Sequence, residues 1–230
     1  MKEILEFLRL IKVNNNREWF NENKNLYLTA KEHFDNIANQ IIEGVKQFDS
    51  SCKDLTLKDC TYRFYRDVRF SKDKSPYKTH FGVFVCPKGK TSSWAGYYFH
   101  IEPTIIKEET TNPSFPSNSI LCCGTYNPDN PMLEIIRENI LLYGKNYINA
   151  INKAKGFHLC TESSLKKLPR NVESSKYDKY IKLKAHLVEM SLDEKFLMQD
   201  NVANLVVEKF KSCYDFVSFL NESISYIGNY

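Results

Sequence analysis

The chain has 230 residues, 42% hydrophobic and 26% charged, with a net charge of +4. That length fits one large domain or two small ones and is enough to bury a substantial core. The mild positive excess falls well short of the basic stripe of a dedicated nucleic-acid binder but leaves a small anionic ligand open.

The first segment reads as a helix, with Ile4, Phe7, Leu8 and Ile11 at helical spacing. Asn14-Asn15-Asn16 interrupts it. Asn15, with Glu18 three residues on, predicts a capping box at the start of a second, long helix. Phe20, Tyr27, Ala30, Phe34, Ile37, Ile41, Val45 and Phe48 form the apolar stripe of that helix, and core packing is its simplest role. The middle third then changes period. Residues 61–70, 80–86 and 94–102 read as strands rich in aromatic and β-branched residues. Pro87-Lys88-Gly89-Lys90 predicts a turn that joins the last two as an antiparallel hairpin. Residues 119–126 offer a further strand, and residues 110–119, with two prolines, a loop.

Helices return at Asp129-Asn130-Pro131, a cap followed by proline in the first turn, with Leu133, Ile136 and Ile140 as the apolar stripe. A second, short helix follows over 145–155 and ends at Gly156. Residues 159–177 are polar and basic and read as an exposed loop; 184–192 read as a strand or a helix end. The chain closes on a strong helix in which Val202, Val206, Phe210, Cys213, Val217, Leu220 and Ile224 recur at three and four residues. Together these predict an α+β fold: a mostly antiparallel central sheet flanked by helices, with long helices towards both ends, as a single domain over residues 1–230. Seven cysteines without a C-x-x-C pair support neither a disulfide framework nor a zinc-finger spacing. The charged start Met1-Lys2-Glu3, and the lack of a long apolar run, point to a cytoplasmic protein without membrane partners.

The chemistry concentrates between Arg63 and Lys78, where three arginines and three lysines surround two aspartates. As a strand, this stretch would place Arg63, Tyr65, Asp67 and Arg69 on one face and Phe64, Arg66, Val68 and Phe70 on the other. Tyr98, His100 and Glu102 likewise share a face opposite Tyr97, Phe99 and Ile101. If the polar faces lie together, Arg63, Asp67, Arg69, Tyr98, His100 and Glu102 surround one cleft, approached by Lys74, Tyr77, Lys78 and His80 from the adjoining loop. Arginine forks hold carboxylate or phosphate in a bidentate manner and lysine adds a point charge. The candidate ligand-binding residues are therefore Arg63, Arg66, Arg69, Lys74, Tyr77, Lys78 and Tyr98. The candidate catalytic residues are Asp67, His100 and Glu102, a carboxylate orienting His100 as a general base.

Two other uses of the same residues compete. The charges can form an internal network bracing the sheet, which Arg66, on the otherwise apolar face, fits best. His80, His100 and Asp67 can also form a two-histidine, carboxylate metal site. Neither has a diagnostic spacing, and no metal ligand and no cofactor is assigned from sequence. Cys122-Cys123-Gly124 carries a thiol to which no base can be assigned. No Walker loop, G-x-S-x-G elbow, H-E-x-x-H or G-x-G-x-x-G motif occurs.

The pattern Arg63-x-x-Arg66-Asp67-x-Arg69-Phe70, then Asp73-Lys74-x-x-Tyr77, resembles the signature of a widespread bacterial family catalogued as domain of unknown function 2461. Asn15-Asn16-Arg17-Glu18-Trp19-Phe20, Gly96-Tyr97-Tyr98-x-His100-x-Glu102-Pro103 and Ile136-Arg137 are similar to that family as well. The resemblance covers essentially the whole chain, and the similar length of family members implies one domain. It implies no activity, since none is established for the family. Members carry a glycine-rich turn where this chain has Cys122-Cys123-Gly124-Thr125, so a ligand met by that turn would be bound differently here.

Two functional expectations follow. The first is an enzyme or binder acting on an anionic, phosphorylated small molecule or nucleotide, with Arg63, Arg69, Lys74 and Lys78 holding the anion and His100 moving a proton. The second is a non-catalytic module for nucleic acid or a protein partner, contacting it through 166–170 and 72–90. The sequence leaves the oligomeric state open.

Overall fold

Apolar spacing in the first third produces three helices rather than two. α1 (Lys2–Val13) buries Ile4, Leu5, Phe7, Leu8 and Ile11 along one side. α2 (Arg17–Glu22) is capped by Asn16, not Asn15: the Asn16 side chain accepts from the Trp19 N–H at 2.9 Å. Asn15 is committed elsewhere, to both backbone groups of Tyr77, at 3.0 and 3.1 Å. The long helix expected across 20–48 breaks at Asn23, whose side-chain amide donates to the Trp19 carbonyl at 2.9 Å and ends α2. α3 (Lys24–Phe48) then runs on with Ala30, Phe34, Ala38, Ile41, Ile42 and Val45 buried. The structure, a computed structural model, describes residues 1–103, 119–170 and 172–226.

A short helix, α4 (Leu57–Cys60), closed by a Thr56–Asp59 capping box, leads into the sheet region. The strands are β1 (Phe81–Val85), β2 (Gly96–Ile101), β3 (Ile120–Thr125), β4 (His158–Leu159) and β5 (His186–Ser191), ordered β1-β2-β3-β5-β4. All their pairings are antiparallel. The predicted hairpin is β1–β2, and residues 184–192 resolve into a strand. The Cys122–Thr125 stretch is strand, not turn. Gly124 is nevertheless required there: its φ is +121°, and a Cβ would lie 2.0 Å from the His186 carbonyl oxygen. The loop expected over 110–119 lies, except for Ser119, outside the described residues.

α5 (Asn130–Lys153) starts at the Asp129 cap, which accepts from the Met132 N–H at 3.0 Å. It joins the two helices expected separately, with a kink at Tyr143. α6 (Asp178–Ile181) and α7 (Glu194–Leu197) are single turns. The closing helix is divided at Cys213 into α8 (Val202–Ser212) and α9 (Tyr214–Ser225). The division has a packing reason: α8 lies on α3 while α9 lies on α5 and β3, which one straight rod could not reach.

The core forms where the Tyr97, Phe99 and Ile101 face of β2 meets the helices. Tyr97 packs against Phe48 of α3 and Phe210 of α8 at 5.5 Å between ring centroids, and Phe81 stacks on Phe34 at 4.9 Å. A fully buried large side chain such as Phe34 or Phe210 stabilises the fold by about 1.5–3 kcal/mol. The protein is thus α+β with a mostly antiparallel sheet and long helices towards both ends. Among the described residues, no helix is long and apolar enough to cross a membrane.

One predicted strand is absent. Residues 61–70 make isolated bridges, Thr61 to Val83 and Tyr65 to Tyr77, and otherwise fold back on themselves. The Arg66 N–H donates to Pro76 O at 2.9 Å and the Lys78 N–H to Phe64 O at 3.0 Å. Asp67 and Asp73 take the backbone N–H groups of Arg69 and Ser75, at 3.3 and 2.9 Å. These aspartate-to-backbone bonds replace the ladder that a strand would need.

Candidate functional site

Because 61–80 is a loop, alternation does not order its side chains, and the predicted cleft divides into two parts. Asp67 does not face His100. It receives Arg69 at 3.0 and 2.7 Å on the exposed loop, and those hydrogen bonds hold its carboxyl below the usual range. Arg66 is ion-paired with Asp73. The Asp73 carboxyl is pulled down to about 2, by the Ser75 hydroxyl first and then by Arg66. Lys74 donates to the carbonyl of Val68 at 3.0 Å and sits 3.5 Å from that of Arg69. Tyr77 does not line a ligand cavity: it is 3% exposed, and its ring stacks on Phe20 at 4.0 Å. Arg66, Arg69 and Lys74 thus spend their donors holding the loop.

Tyr98 and His100 share a face of β2, and Glu102, just past its end, continues that face, as alternation requires. His100 is 1% exposed and Glu102 8%. The Tyr98 hydroxyl and His100 Nδ1 are 2.9 Å apart, and His100 Nε2 lies 3.2 Å from Glu102 Oε2. The other carboxylate oxygen, Oε1, accepts from the Thr79 hydroxyl at 3.0 Å and has Lys12 Nζ at 3.6 Å. Burial pushes the Glu102 carboxyl up, but the bond and charge of His100, the Thr79 bond and the Lys12 charge outweigh it, and the net shift is down. The His80 ring lies 4.5 Å from that of His100. Burial first, then the neighbouring His100, holds His80 down at about 3, so it is neutral at physiological pH. Gly82 makes room for this group. A Cβ there would lie 2.7 Å from the Tyr98 hydroxyl, where it reaches towards His100.

Arg63 and Lys78 belong to a different feature. With Lys31, Lys58, Thr61, Tyr62 and Lys90 they line an open cleft of about 530 Å³. Its lining among the described residues carries five cationic side chains and no carboxylate, although Lys31 also pairs with Asp35 at its edge. Lys78 Nζ lies 5.1 Å above the Tyr62 ring. Burial first and then Arg63 lower the Lys78 pKa, the signature of a cation lacking enough counter-charge. Tyr62, Arg63 and Lys78 also border a narrow indentation that ends on His80 and Gly82. The cleft and the histidine group therefore share a wall.

Sequence reasoning missed Lys12, Thr79 and Gly82 around Glu102 and Tyr98, and Tyr62, Lys31 and Lys58 in the cleft; Lys90 entered only in the turn after β1 and as the end of the basic stretch 72–90. Only Gly82 carried a local signal, as a lone glycine inside a strand pattern that marks close approach. Lys12 reaches Glu102 across 90 positions of chain, which no local pattern encodes.

An α+β domain with a buried His–Glu pair, joined by a half-buried tyrosine, beside a basic cleft is what the residues build. The family model described as "Conserved hypothetical protein (DUF2461)" matches residues 3–219, and the chain belongs to that family. No curated protein and no solved structure matches it.

Proposed function

We propose that this protein binds an anionic small molecule, a phosphorylated metabolite or nucleotide, in the cleft walled by Arg63, Lys78, Lys58 and Lys90. One observation carries the reading: among the described residues five cations line a cleft with no carboxylate in its lining, Lys31 alone being paired with a nearby Asp35, and the burial of Lys78 leaves its charge under-compensated. A phosphate would supply the missing counter-charge, with Arg63 as the bidentate donor and Tyr62 as an apolar wall. In this reading Arg66, Arg69 and Lys74 brace the loop and do not touch the ligand. Processing of the bound molecule would draw on His100 and Glu102 behind the shared wall, without Asp67. We read the whole chain as one cytoplasmic domain.

The test is a calorimetric titration with inorganic phosphate, nucleoside monophosphates and sugar phosphates at low salt. Binding should drop at least tenfold in Arg63→Ala and Lys78→Met and persist in Arg69→Ala. No binding by the wild type, or loss confined to Arg69→Ala, would sink the proposal.

A second reading has its own observation. Phe70 is 97% exposed, its ring 6.0 Å from the Arg69 guanidinium, with Lys72 two residues on. An uncovered aromatic among cations suits docking to nucleic acid or a protein. Binding of single-stranded DNA or RNA that falls steeply with salt and is lost in Phe70→Ala would favour it.

A further inference from the structure

Among the described residues, one group of three metal-ligating side chains comes together. The ligand atoms of His80, His100 and Glu102 all lie within 4.8 Å of one another. They come from the neighbouring ends of β1 and β2: His80 precedes Phe81, the first residue of β1, His100 lies at the end of β2, and Glu102 follows Ile101, its last residue. From this geometry we infer that His80, His100 and Glu102 form the binding site of one divalent transition-metal ion.

The donors around these residues aim them as a metal site requires. Tyr98 engages Nδ1 of His100 at 2.9 Å, which leaves Nε2 turned to Glu102. Thr79 and Lys12 engage Oε1 of Glu102, at 3.0 and 3.6 Å, which leaves Oε2 turned to His100. Outer partners of this kind fix the tautomer of a ligating histidine and the rotamer of a ligating carboxylate. The ion would replace the proton between His100 Nε2 and Glu102 Oε2. The ring proton would then sit on Nδ1, where the Tyr98 oxygen accepts it. The two imidazoles already lie 4.5 Å apart and tilted by 33°.

Distance supports the assignment. Metal–nitrogen and metal–oxygen bonds of about 2.0–2.2 Å put neighbouring donors roughly 3.4 Å apart. The widest separation of 4.8 Å must therefore close by little more than about 1 Å, within reach of side-chain rotation. Two nitrogens and one oxygen select zinc, iron(II) or manganese(II) over calcium and magnesium, which take oxygen donors. Three protein ligands leave coordination positions open. The narrow indentation that reaches His80 shares Tyr62, Arg63 and Lys78 with the basic cleft. An anion in that cleft could complete the coordination sphere. This last extension rests on the anion-binding reading; the metal site itself does not.

The experiment uses the metal alone in phosphate-free buffer. The full chain is stripped with a chelator and titrated with Co²⁺ as an optical probe, then with Zn²⁺ in competition. One equivalent should bind, giving ligand-field bands without a thiolate charge-transfer band. Affinity should fall at least a hundredfold in His80→Asn and Glu102→Gln, and about tenfold in Tyr98→Phe, whose partner role is indirect. Circular dichroism establishes that each variant is folded. Should a variant not fold, the wild-type cobalt spectrum still separates imidazole–carboxylate from cysteine ligation. Absence of binding, unchanged affinity in both ligand variants, or a thiolate band would overturn the assignment. Phosphate titration without metal is read separately, so failure here leaves the anion-binding proposal standing, and the reverse.

Discussion

Glu102→Ala is the perturbation on which the structure makes its firmest demand. Glu102 is 8% exposed, and one carboxylate serves His100, Thr79 and Lys12. Truncation strands all three partners at once. Removing one member of a buried pair costs about 3–5 kcal/mol. Lys12 keeps 15% of its side-chain surface and can turn towards water, which places the loss at the lower end, about 3 kcal/mol. For a chain of this size each kcal/mol moves Tm by roughly 2–4 °C, so a drop of roughly 6–12 °C is expected. The assay is thermal unfolding by circular dichroism with a chelator present, so that bound metal adds nothing to the wild type. Asp67→Ala is the control. Its carboxylate lies on the exposed loop, and Tm should not move. A drop below about 3 °C for Glu102→Ala, or an equal drop for Asp67→Ala, would refute the separation of the two carboxylates.

Other substitutions test other parts. Gly124→Ala, at φ +121° and against the His186 carbonyl, should cost at least about 3 kcal/mol in urea unfolding; a neutral result would mean that β3 and β5 part easily there. Gly82→Ala should cost about 1–3 kcal/mol by displacing the Tyr98 ring, and Tyr98→Phe, which cannot hydrogen-bond to His100, should not restore it. His186 is fully buried, with the Tyr147 hydroxyl 2.8 Å from Nδ1, and is held at about 3 by burial first and then by Arg137. The unfolded chain binds that proton near 6.5 and the folded chain does not, so stability should fall as pH drops from 6.5 towards 3. The slope should reach about 1.4 kcal/mol per pH unit for this group, and His186→Asn should remove that share, leaving the similar one from His80, in urea midpoints measured at several pH values. Arg137→Ala frees the carbonyls of Ile181 and Leu183, now bonded at 2.8 and 3.1 Å, and should speed proteolysis around α6; unchanged cleavage would count against that clamp.

What the sequence disclosed follows the range of the interactions involved. Apolar spacing located α1 and the stripe of α3, and strand composition with the Pro87–Lys90 turn signal located the β1–β2 hairpin, because those signals are local. Alternation put Tyr98, His100 and Glu102 on one face correctly. It failed for Arg63 to Phe70, where Asp67 and Asp73 bind nearby backbone N–H groups and compete with the ladder. The capping-box rule favours Asn15, three residues before Glu18, but only Asn16 caps. Tyr77, 62 positions away, claims the other. The breaks at Asn23 and Cys213 were hidden because the apolar stripe continues through both. The site was half visible: its histidine and glutamate could be named, whereas their partners Lys12 and Thr79 and the cleft lysines depend on tertiary approach.

The crossing of α3 and α8 bears on how this chain reaches its native state. The helices meet at Gly44, where a Cβ would lie 2.5 Å from Val207. A ribosome therefore releases α3 long before the helix that covers it. Through most of synthesis the part of α3 that α8 covers faces solvent or a chaperone, although α1 and β1 already pack on the rest, and its packing is incomplete until residues 202–212 emerge. Such long-range closure makes for slow folding and an aggregation-prone nascent chain. Deletions near the C-terminal helices should therefore first appear as lost soluble yield, before any change in ligand binding is measured.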